Sequence, residues 1–363
     1  MRGISDIRLY ENIPILVRAA MNVPIEKGGV MNDYRLRRAV PTIRFLAERG
    51  AKVILISHIG EQGTETLEPV ARALGKIISG VSFFGESVGE RVRSAIHNLA
   101  PGQILVLENL RRNKGEQAND RSFARELAAL GDIFVEDCFD TCHRAHASIV
   151  TVPELLPSYA GFLLEDEVRE LSHALTPKHP ALAVIGGAKF TTKEAVLAKL
   201  LATYDHVFVG GALANDFLKA SGRDVGKSLI SDTDPNILKK FLANPKLVLP
   251  VDFVIKDEKI LDHGSGTIAL LDDLAKKAKA ILWNGPLGNY ENGFSDATDA
   301  FAHAVADSSA HSVIGGGDTI ASIENLGLLS RFSFVSTGGG AMLDFLAYGT
   351  LPGIEALNNY LSA

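Results

Sequence analysis

Four runs in the second half of the chain put glycines where phosphate chemistry needs them. Val184-Ile185-Gly186-Gly187, Val209-Gly210-Gly211, Ile314-Gly315-Gly316-Gly317 and Thr337-Gly338-Gly339-Gly340 share one form. Each is an apolar run, then a glycine pair or triplet, then a helical pattern. At the carboxyl end of a parallel strand, glycine lets the backbone approach a phosphate. The helix N-terminus beyond it adds N–H donors and a favourable dipole. Glycine also ends strands for purely steric reasons, so one such turn says little; four in one half favour a phosphate-bearing ligand. Lys189 and Lys193 follow the first pair at i, i+4, a spacing that predicts one helix face. That face is either two cations for a triphosphate or a solvated surface. Asp318 and Thr319 follow a glycine triplet as a hard-oxygen pair suited to Mg²⁺; Asp318 could equally cap the helix.

The first half carries another set. Asn22, His58, Asn109 with Arg111, and the run Thr141-Cys142-His143-Arg144-Ala145-His146 end its predicted strands. Histidine and arginine at strand ends point to one shared anion cleft. His143 and His146 with Cys138 and Cys142 fit no standard zinc spacing. Residues 1–164 hold 16 Arg and 4 Lys against 19 acids, whereas residues 165–363 hold 3 Arg and 14 Lys against 24. Arginine's planar fork grips oxygens in pairs, so the first half suits a small oxygen-rich anion. Drift in surface composition would leave the same counts.

Several classes drop out. No G-x-x-x-x-G-K-[ST], no G-x-G-x-x-G after the first strand and no G-x-S-x-G occurs, which argues against a P-loop enzyme, a nicotinamide dehydrogenase and a serine hydrolase. The net charge of −6 comes without a Lys/Arg block, so no nucleic-acid partner is expected. No apolar run approaches a membrane span, and MRGISDIRLYEN lacks an apolar signal core. Two cysteines in 363 residues suit a reducing, cytoplasmic setting.

The elements that must hold these residues alternate strand and helix. IPILVRAAM, AKVILISHIG, VSFFG, QILVLEN and IFVEDCF read as strands, with amphipathic stretches between them. This rhythm implies a parallel sheet covered by helices on both faces. VPELLPSYAG, with two prolines, reads as a break, and EDEVRELSHALT as a connecting helix. The rhythm resumes with ALAVIGGAK, HVFVGGAL, KLVLPVDFVI, AILWNGPLG, HSVIGGGDT and FSFVSTGGGA. The fold class is therefore α/β, with two doubly wound, Rossmann-like lobes.

Together the motifs resemble the phosphoglycerate kinase family. The residues that carry this are NVP at 22–24, SHIG at 57–60, LENLR at 107–111, HRAHAS at 143–148, GGAK at 186–189, GKSL at 226–229, LPVD at 249–252, WNGPLG at 283–288, GGGDT at 315–319, STGGGA at 336–341 and LPGIEAL at 351–357. They keep family order along essentially the whole chain. The resemblance implies a triose-phosphate lobe over 1–162, a connecting helix over 163–176, a nucleotide lobe over 177–345, and a C-terminal segment, 346–363, returning to the first lobe. The lobes would face a cleft and hinge shut.

The implied reaction moves a phosphoryl group between 1,3-bisphosphoglycerate and ADP, giving 3-phosphoglycerate and ATP, with Mg²⁺, in a cytoplasmic monomer without membrane partners. Asn22, Arg35, His58, Arg111 and Arg144 match the family's acid-substrate set, and Arg35 would also reach the transferring group. Gly187, Gly211, Asn284, Pro286 and Glu291 match its nucleoside and phosphate contacts. Lys193, Gly316, Gly317, Asp318 and Thr319 match its triphosphate set, with Asp318 toward the Mg²⁺. Lys189 would stabilise the transferred group; with Arg35, Lys193, Gly317 and Gly339 it forms the expected catalytic set. The acid pocket departs from the pattern. Ala20 stands for an Asp, Glu61 for an Arg, and Arg112 is extra. Glu61 is expected to face the phosphate unless it turns to solvent or pairs with Arg112. His263-Gly264-Ser265-Gly266 replaces the family's I-G-P-K. A nucleotide-binding pseudoenzyme, or a kinase for another small carboxylate, is the alternative.

Overall fold

Unbroken apolar runs, rather than alternating ones, dictate strands buried on both faces. In the computed structural model, which describes residues 1–8 and 10–359, they become the centres of two sheets. The chain divides into two units, Met1–Val168 with the residues from Thr350 on, and Arg169–Gly349. The boundary falls inside a helix, Phe162–Leu175.

The first unit holds β1 (Pro14–Ala19), β2 (Lys52–Ile56), β3 (Val81–Phe84), β4 (Ile104–Leu107), β5 (Ile133–Asp137) and β6 (Ser158–Ala160). All pair in parallel, in the order β3-β4-β2-β1-β5-β6. Helices α1 (Tyr34–Glu48), α2 (Glu68–Ile77), α3 (Glu90–His97) and α4 (Arg121–Ala128) join them, and Phe162–Leu175 is α5. In α1, Leu36, Ala39, Val40, Ile43 and Leu46 recur at three- and four-residue steps and are all buried against the sheet. The segment read as a break is not one. Val152–Leu155 is a single helical turn and Ser158–Ala160 adds an edge strand, Phe134 opposite Ser158. Three residues are too few to show a period, and Pro157 before an edge strand costs no ladder bond.

The second unit repeats the plan with β7 (Ala181–Ile185), β8 (His206–Val209), β9 (Leu247–Val248), β10 (Ala280–Asn284), β11 (His311–Gly315) and β12 (Phe334–Val335). Their order is β9-β8-β7-β10-β11-β12, again all parallel. KLVLPVDFVI, read as one strand, divides at Pro250. Leu247–Val248 stays in the sheet, while Phe253–Lys256 pairs antiparallel with Lys259–His263 outside it. Among the helices, α6 (Glu194–Thr203), α7 (Ala212–Ala220), α8 (Pro235–Leu242), α9 (Ser265–Lys277), α10 (Asp296–Asp307), α11 (Gly317–Asn325) and α12 (Gly340–Tyr348) follow in turn.

One buried acid ties β5 to α5. Asp137 Oδ1 accepts from the Leu163 and Leu164 N–H groups, at 2.9 and 3.3 Å. Burial raises its carboxyl to about 8, against the lowering effect of bonds from Thr42, Leu164 and Leu163. The native state thus keeps a proton that the unfolded chain sheds near the ordinary carboxylate value. Its contribution to stability is complete below that value and is lost as pH rises toward 8, by up to about 1.4 kcal/mol per pH unit. Asp137→Asn is expected to flatten urea-derived stability between pH 4 and 8 by about one proton's worth; an unchanged slope would show that Asp137 does not carry it.

Candidate functional site

In the second unit three loops interlock through their backbones at the carboxyl ends of the strands. Gly186 N–H donates to Asn284 O at 2.8 Å, Gly187 N–H to Pro286 O at 3.2 Å, and Gly211 N–H to Leu287 O at 3.0 Å. Gly187 O in turn accepts from Leu213 N–H at 2.8 Å. A Cβ on Gly186 would collide with the Pro286 carbonyl. At Gly211, where φ is +63°, a Cβ would sit 2.8 Å from Gly187 N. In the first two glycine runs Gly186 and Gly211 therefore serve close backbone packing, and the N–H groups of Gly186, Gly187 and Gly211 are spent. That corrects the reading of all four runs as phosphate cradles. Gly317 and Gly339, by contrast, face open space. They lie at the starts of α11 and α12, whose first-turn N–H groups lack intrahelical acceptors.

The loops enclose a cavity of about 600 Å³. Gly187, Gly211, Pro286, Glu291 and Asp318 line it, with apolar walls from Leu229, Ile260, Leu261 and Leu287. Its size and its apolar walls with a few polar groups suit one small organic ligand. Asp318 is exposed in the first turn of α11, and Gly316, not Asp318, is the capping residue. Thr319 is not a free hard-oxygen partner: it is fully buried and its Oγ1 accepts from Gly285 N–H at 3.1 Å. Asn284 is likewise buried, its Nδ2 donating to Met342 Sδ at 3.4 Å.

Lys189 and Lys193 do not share a helix face. The segment between them is a 3₁₀ turn, Phe190–Thr192, and α6 begins only at Glu194. Lys189 is exposed, whereas Lys193 folds back over the glycine loop and is 8% exposed. Its Nζ lies 2.5 Å from where a Cβ on Gly187 would be. Burial pushes its pKa down, and among the described residues no carboxylate pairs with it. A buried cation is costly unless an anion joins it, so this is a site prepared for one.

The cavity wall also holds polar residues with no role expected from the sequence, Asn215 and His263 among them. Asn215 Nδ2 donates to Leu229 O at 3.0 Å. His263 Nε2 accepts from Gly211 N–H at 3.3 Å, and burial takes its pKa down to about 4. The altered run after Asp262 marked His263 as unusual; no local signal marked Asn215.

In the first unit, four of the expected residues are drawn together. Arg35 Nη1 donates to Asn22 O at 2.6 Å, and Gly60 N–H donates to Asn22 Oδ1 at 3.2 Å. Arg111 Nη1 donates to Gly60 O at 2.6 Å. Asn109 clamps the same loop: its Oδ1 accepts from Ile59 and Arg111 N–H, and its Nδ2 donates to Ile59 O and Glu65 O. His58 is buried beside them, held from below by Arg18, 2.8 Å from its Nδ1. Arg144 stands exposed on the loop beyond Thr141. Burial, then Arg111, Arg18 and Arg144, lower His146 to about 4.

Of the alternatives expected for Glu61, the turn to solvent is the one seen, and the pairing with Arg112 is not. Glu61 pairs with Arg111, Oε2 to Nη1 at 3.0 Å, and Arg112 pairs instead with Glu108 at 3.1 Å. The Glu61 side chain is 83% exposed and that of Arg111 only 5%. Ala20 is fully buried and brings no polar atom.

Two doubly wound parallel sheets, one with a cavity at its strands' carboxyl ends, define the class of α/β proteins that take ligands there. A family profile, phosphoglycerate kinase, matches residues 4–348. A phosphoglycerate kinase of Azorhizobium caulinodans is 42% identical, over 94% of this chain and 96% of its own. One of Xanthobacter flavus is 41% identical over 98% of each. Among solved structures, phosphoglycerate kinase from Pyrococcus horikoshii superposes with a TM-score of 0.91 at 30% identity, covering 100% of both chains. That from Coxiella burnetii gives 0.83 at 38%, covering 98% of both. The chain belongs to the phosphoglycerate kinase family.

The packing separates two kinds of glycine. Gly211→Ala brings both a strained φ and a backbone collision, and should cost roughly 2–4 kcal/mol. Gly317→Ala meets open space in a helix and should change stability by less than about 1 kcal/mol. Urea unfolding of both variants checks this; equal losses would refute the distinction.

Proposed function

We propose that this chain transfers a phosphoryl group between the acyl phosphate of 1,3-bisphosphoglycerate and ADP, reversibly, as a step of glycolysis. The observation that carries the reading is Lys193, a buried cation over Gly187 with no carboxylate partner among the described residues. A nucleotide phosphate supplies the anion. The apolar walls of the adjoining cavity take the nucleoside, and the first-turn N–H groups of α11 and α12, at Gly317 and Gly340, face the phosphates. Asn22, Arg35, His58 and Arg111 take the acid substrate in the first unit, with Arg144 at its edge. Such transfer needs positioning and charge neutralisation, not a protein nucleophile. Arg35, Lys189 and Lys193 neutralise the moving charge.

The residues present fit a Mg²⁺ that arrives with the nucleotide. Among the described residues no group of three His, Cys, Asp or Glu side chains could hold a metal alone. A single exposed carboxylate, Asp318, meets what Mg²⁺ asks for when phosphates fill its other positions. When bound, the ion would neutralise phosphate charge; Asp318 holds its protein side. Among the described residues no helix is long and apolar enough to cross a membrane. The reading is of a cytoplasmic monomer acting on small molecules.

A second reading rests on Glu61. Its carboxylate occupies Arg111, where the acid substrate's anion is wanted. A chain that had changed its acid, or kept only nucleotide binding, would look like this. A coupled assay with 3-phosphoglycerate, ATP and Mg²⁺ decides: turnover supports the first reading, and its absence with intact Mg·ATP binding supports the second.

Two sets of variants follow. Lys193→Ala removes a charge-assisted contact and should weaken ATP on the order of 10–100-fold; Asp318→Ala should weaken Mg·ATP while sparing metal-free ATP. Calorimetry reads both, and unchanged affinities would dismiss this nucleotide site. In the acid pocket, Glu61→Ala should lower KM for 3-phosphoglycerate and leave KM for ATP in place, and Ala20→Asp with Glu61→Arg should lower it further. A double variant that binds the acid no better would mean the pocket is built around Glu61.

A further inference from the structure

Beside the acid-substrate residues lies a buried polar chain that runs from Glu116 through Ser148 and Arg18 to the His58 ring. Glu116 is fully buried, and its two oxygens accept from Ser148, Oγ at 2.6 Å and N–H at 3.0 Å. The Ser148 hydroxyl has spent its proton on Glu116, so it can only accept from Arg18 Nε, at 3.0 Å. Arg18, also fully buried, has no acceptor atom at all. Its Nη1 donates to Ala19 O at 3.1 Å and to Ser57 Oγ at 3.2 Å. Ser57 Oγ in turn donates to Ala19 O at 2.7 Å. Nη1 also reaches Cys138 Sγ at 3.3 Å, and Nη2 meets His58 Nδ1 at 2.8 Å. Since the guanidinium can only donate, Nδ1 must be the bare nitrogen, and the ring proton is left on Nε2.

We propose that Arg18 is a positioning residue that sets His58 as the neutral Nε2–H tautomer, so that His58 offers a hydrogen-bond donor and not a titrating cation. The use of that donor rests on the reading of His58 as an acid-substrate contact; the tautomer does not. Charge around the ring agrees with the geometry. After burial, the groups that disfavour a proton on His58 are Arg18, Arg111, His146 and Arg35. Of the acids near Arg18, Glu116 and Asp140 face the guanidinium, while burial pushes the Glu136 carboxyl up and keeps the Cys138 thiol neutral. Arg18 thus stays charged and keeps the same face of the ring blocked. The pocket's positive charge then comes from its arginines, which do not titrate, and acid binding does not weaken as the histidine loses a proton near neutrality.

The tautomer is directly readable. The full-length protein labelled with ¹⁵N-histidine shows both ring nitrogens of each of its ten histidines by long-range correlation, and His58→Gln identifies the relevant pair. His58 should show an unprotonated Nδ1 and a protonated Nε2, unchanged from pH 5.5 to 8.0. A proton on Nδ1, or a titration midpoint inside that range, overturns the proposal without any variant at Arg18. In Arg18→Met, the Nδ1–H form of His58 should become populated and its titration should move up from the wild type's, although burial, Arg111, His146 and Arg35 still hold it down; KM for 3-phosphoglycerate should rise about tenfold at pH 7.5 while KM for ATP stays within twofold. Arg18→Lys, which keeps a donor and a charge, should recover part of both. A folded Arg18→Met protein with the wild-type tautomer and no titration would also overturn it. Saturating 3-phosphoglycerate should move the His58 resonances. If the Nε2–H form is present but these do not move, the substrate role of His58 is lost and the Arg18 assignment stands.

Discussion

All strands of a six-stranded sheet here run the same way, and this one constraint organises each unit. Every strand then delivers its carboxyl end to the same edge, and every return passes through a helix on a face. The loops at that edge are crowded together whether or not their sequences resemble one another. In the second unit the crowding is resolved by removing side chains. Gly186, Gly211 and Gly285 allow three loops to touch backbone to backbone, where Cβ atoms would collide. In the first unit it is resolved by polar side chains that bond to the loops, with Asn22 and Asn109 holding the segment from Ile59 to Gly60.

The two units also treat buried positive charge in opposite ways. Arg18 is surrounded by partners: Ser148, Ala19, Ser57 and the bare nitrogen of His58. Its charge is used internally, to orient. Lys193 is almost as buried, yet among the described residues no carboxylate answers it. A satisfied buried ion is scaffold; an unanswered one stores a cost that a ligand can relieve. That difference separates the groups that arrange the site from the group that awaits something.

Glu61 shows how a charge reversal can be tolerated. It reaches Arg111 from solvent, and its own side chain stays mostly in water. An exposed carboxylate competes for a buried guanidinium at little desolvation cost, so the pair is weak and displaceable. Arg112, the added cation, is already engaged by the buried Glu108. It therefore does not cancel Glu61, although the two residues have opposite charge and Arg112 follows Arg111 in the chain.

The sequence alone determined the alternation of strand and helix, the two-unit plan, the family, and the identity of the residues at strand ends. Those features are written in local periodicity and in contiguous motifs such as WNGPLG and HRAHAS. The edge strand Ser158–Ala160 was not legible, because three residues carry no period and only pairing with β5 defines it. Nor was the division of the glycines into packing and open ones, which depends on what another loop places within 3 Å. The i, i+4 spacing of Lys189 and Lys193 suggested a shared face, but a 3₁₀ turn put one in water and the other over Gly187. Arg18 carried no local sign of its role at all, since Ser148 is 130 residues away and His58 is 40. Hydrogen-bond direction, burial of charge and the choice between Arg111 and Arg112 for Glu61 are pairwise facts across long sequence separations. They exist only once the sheets have folded and fixed which loops become neighbours.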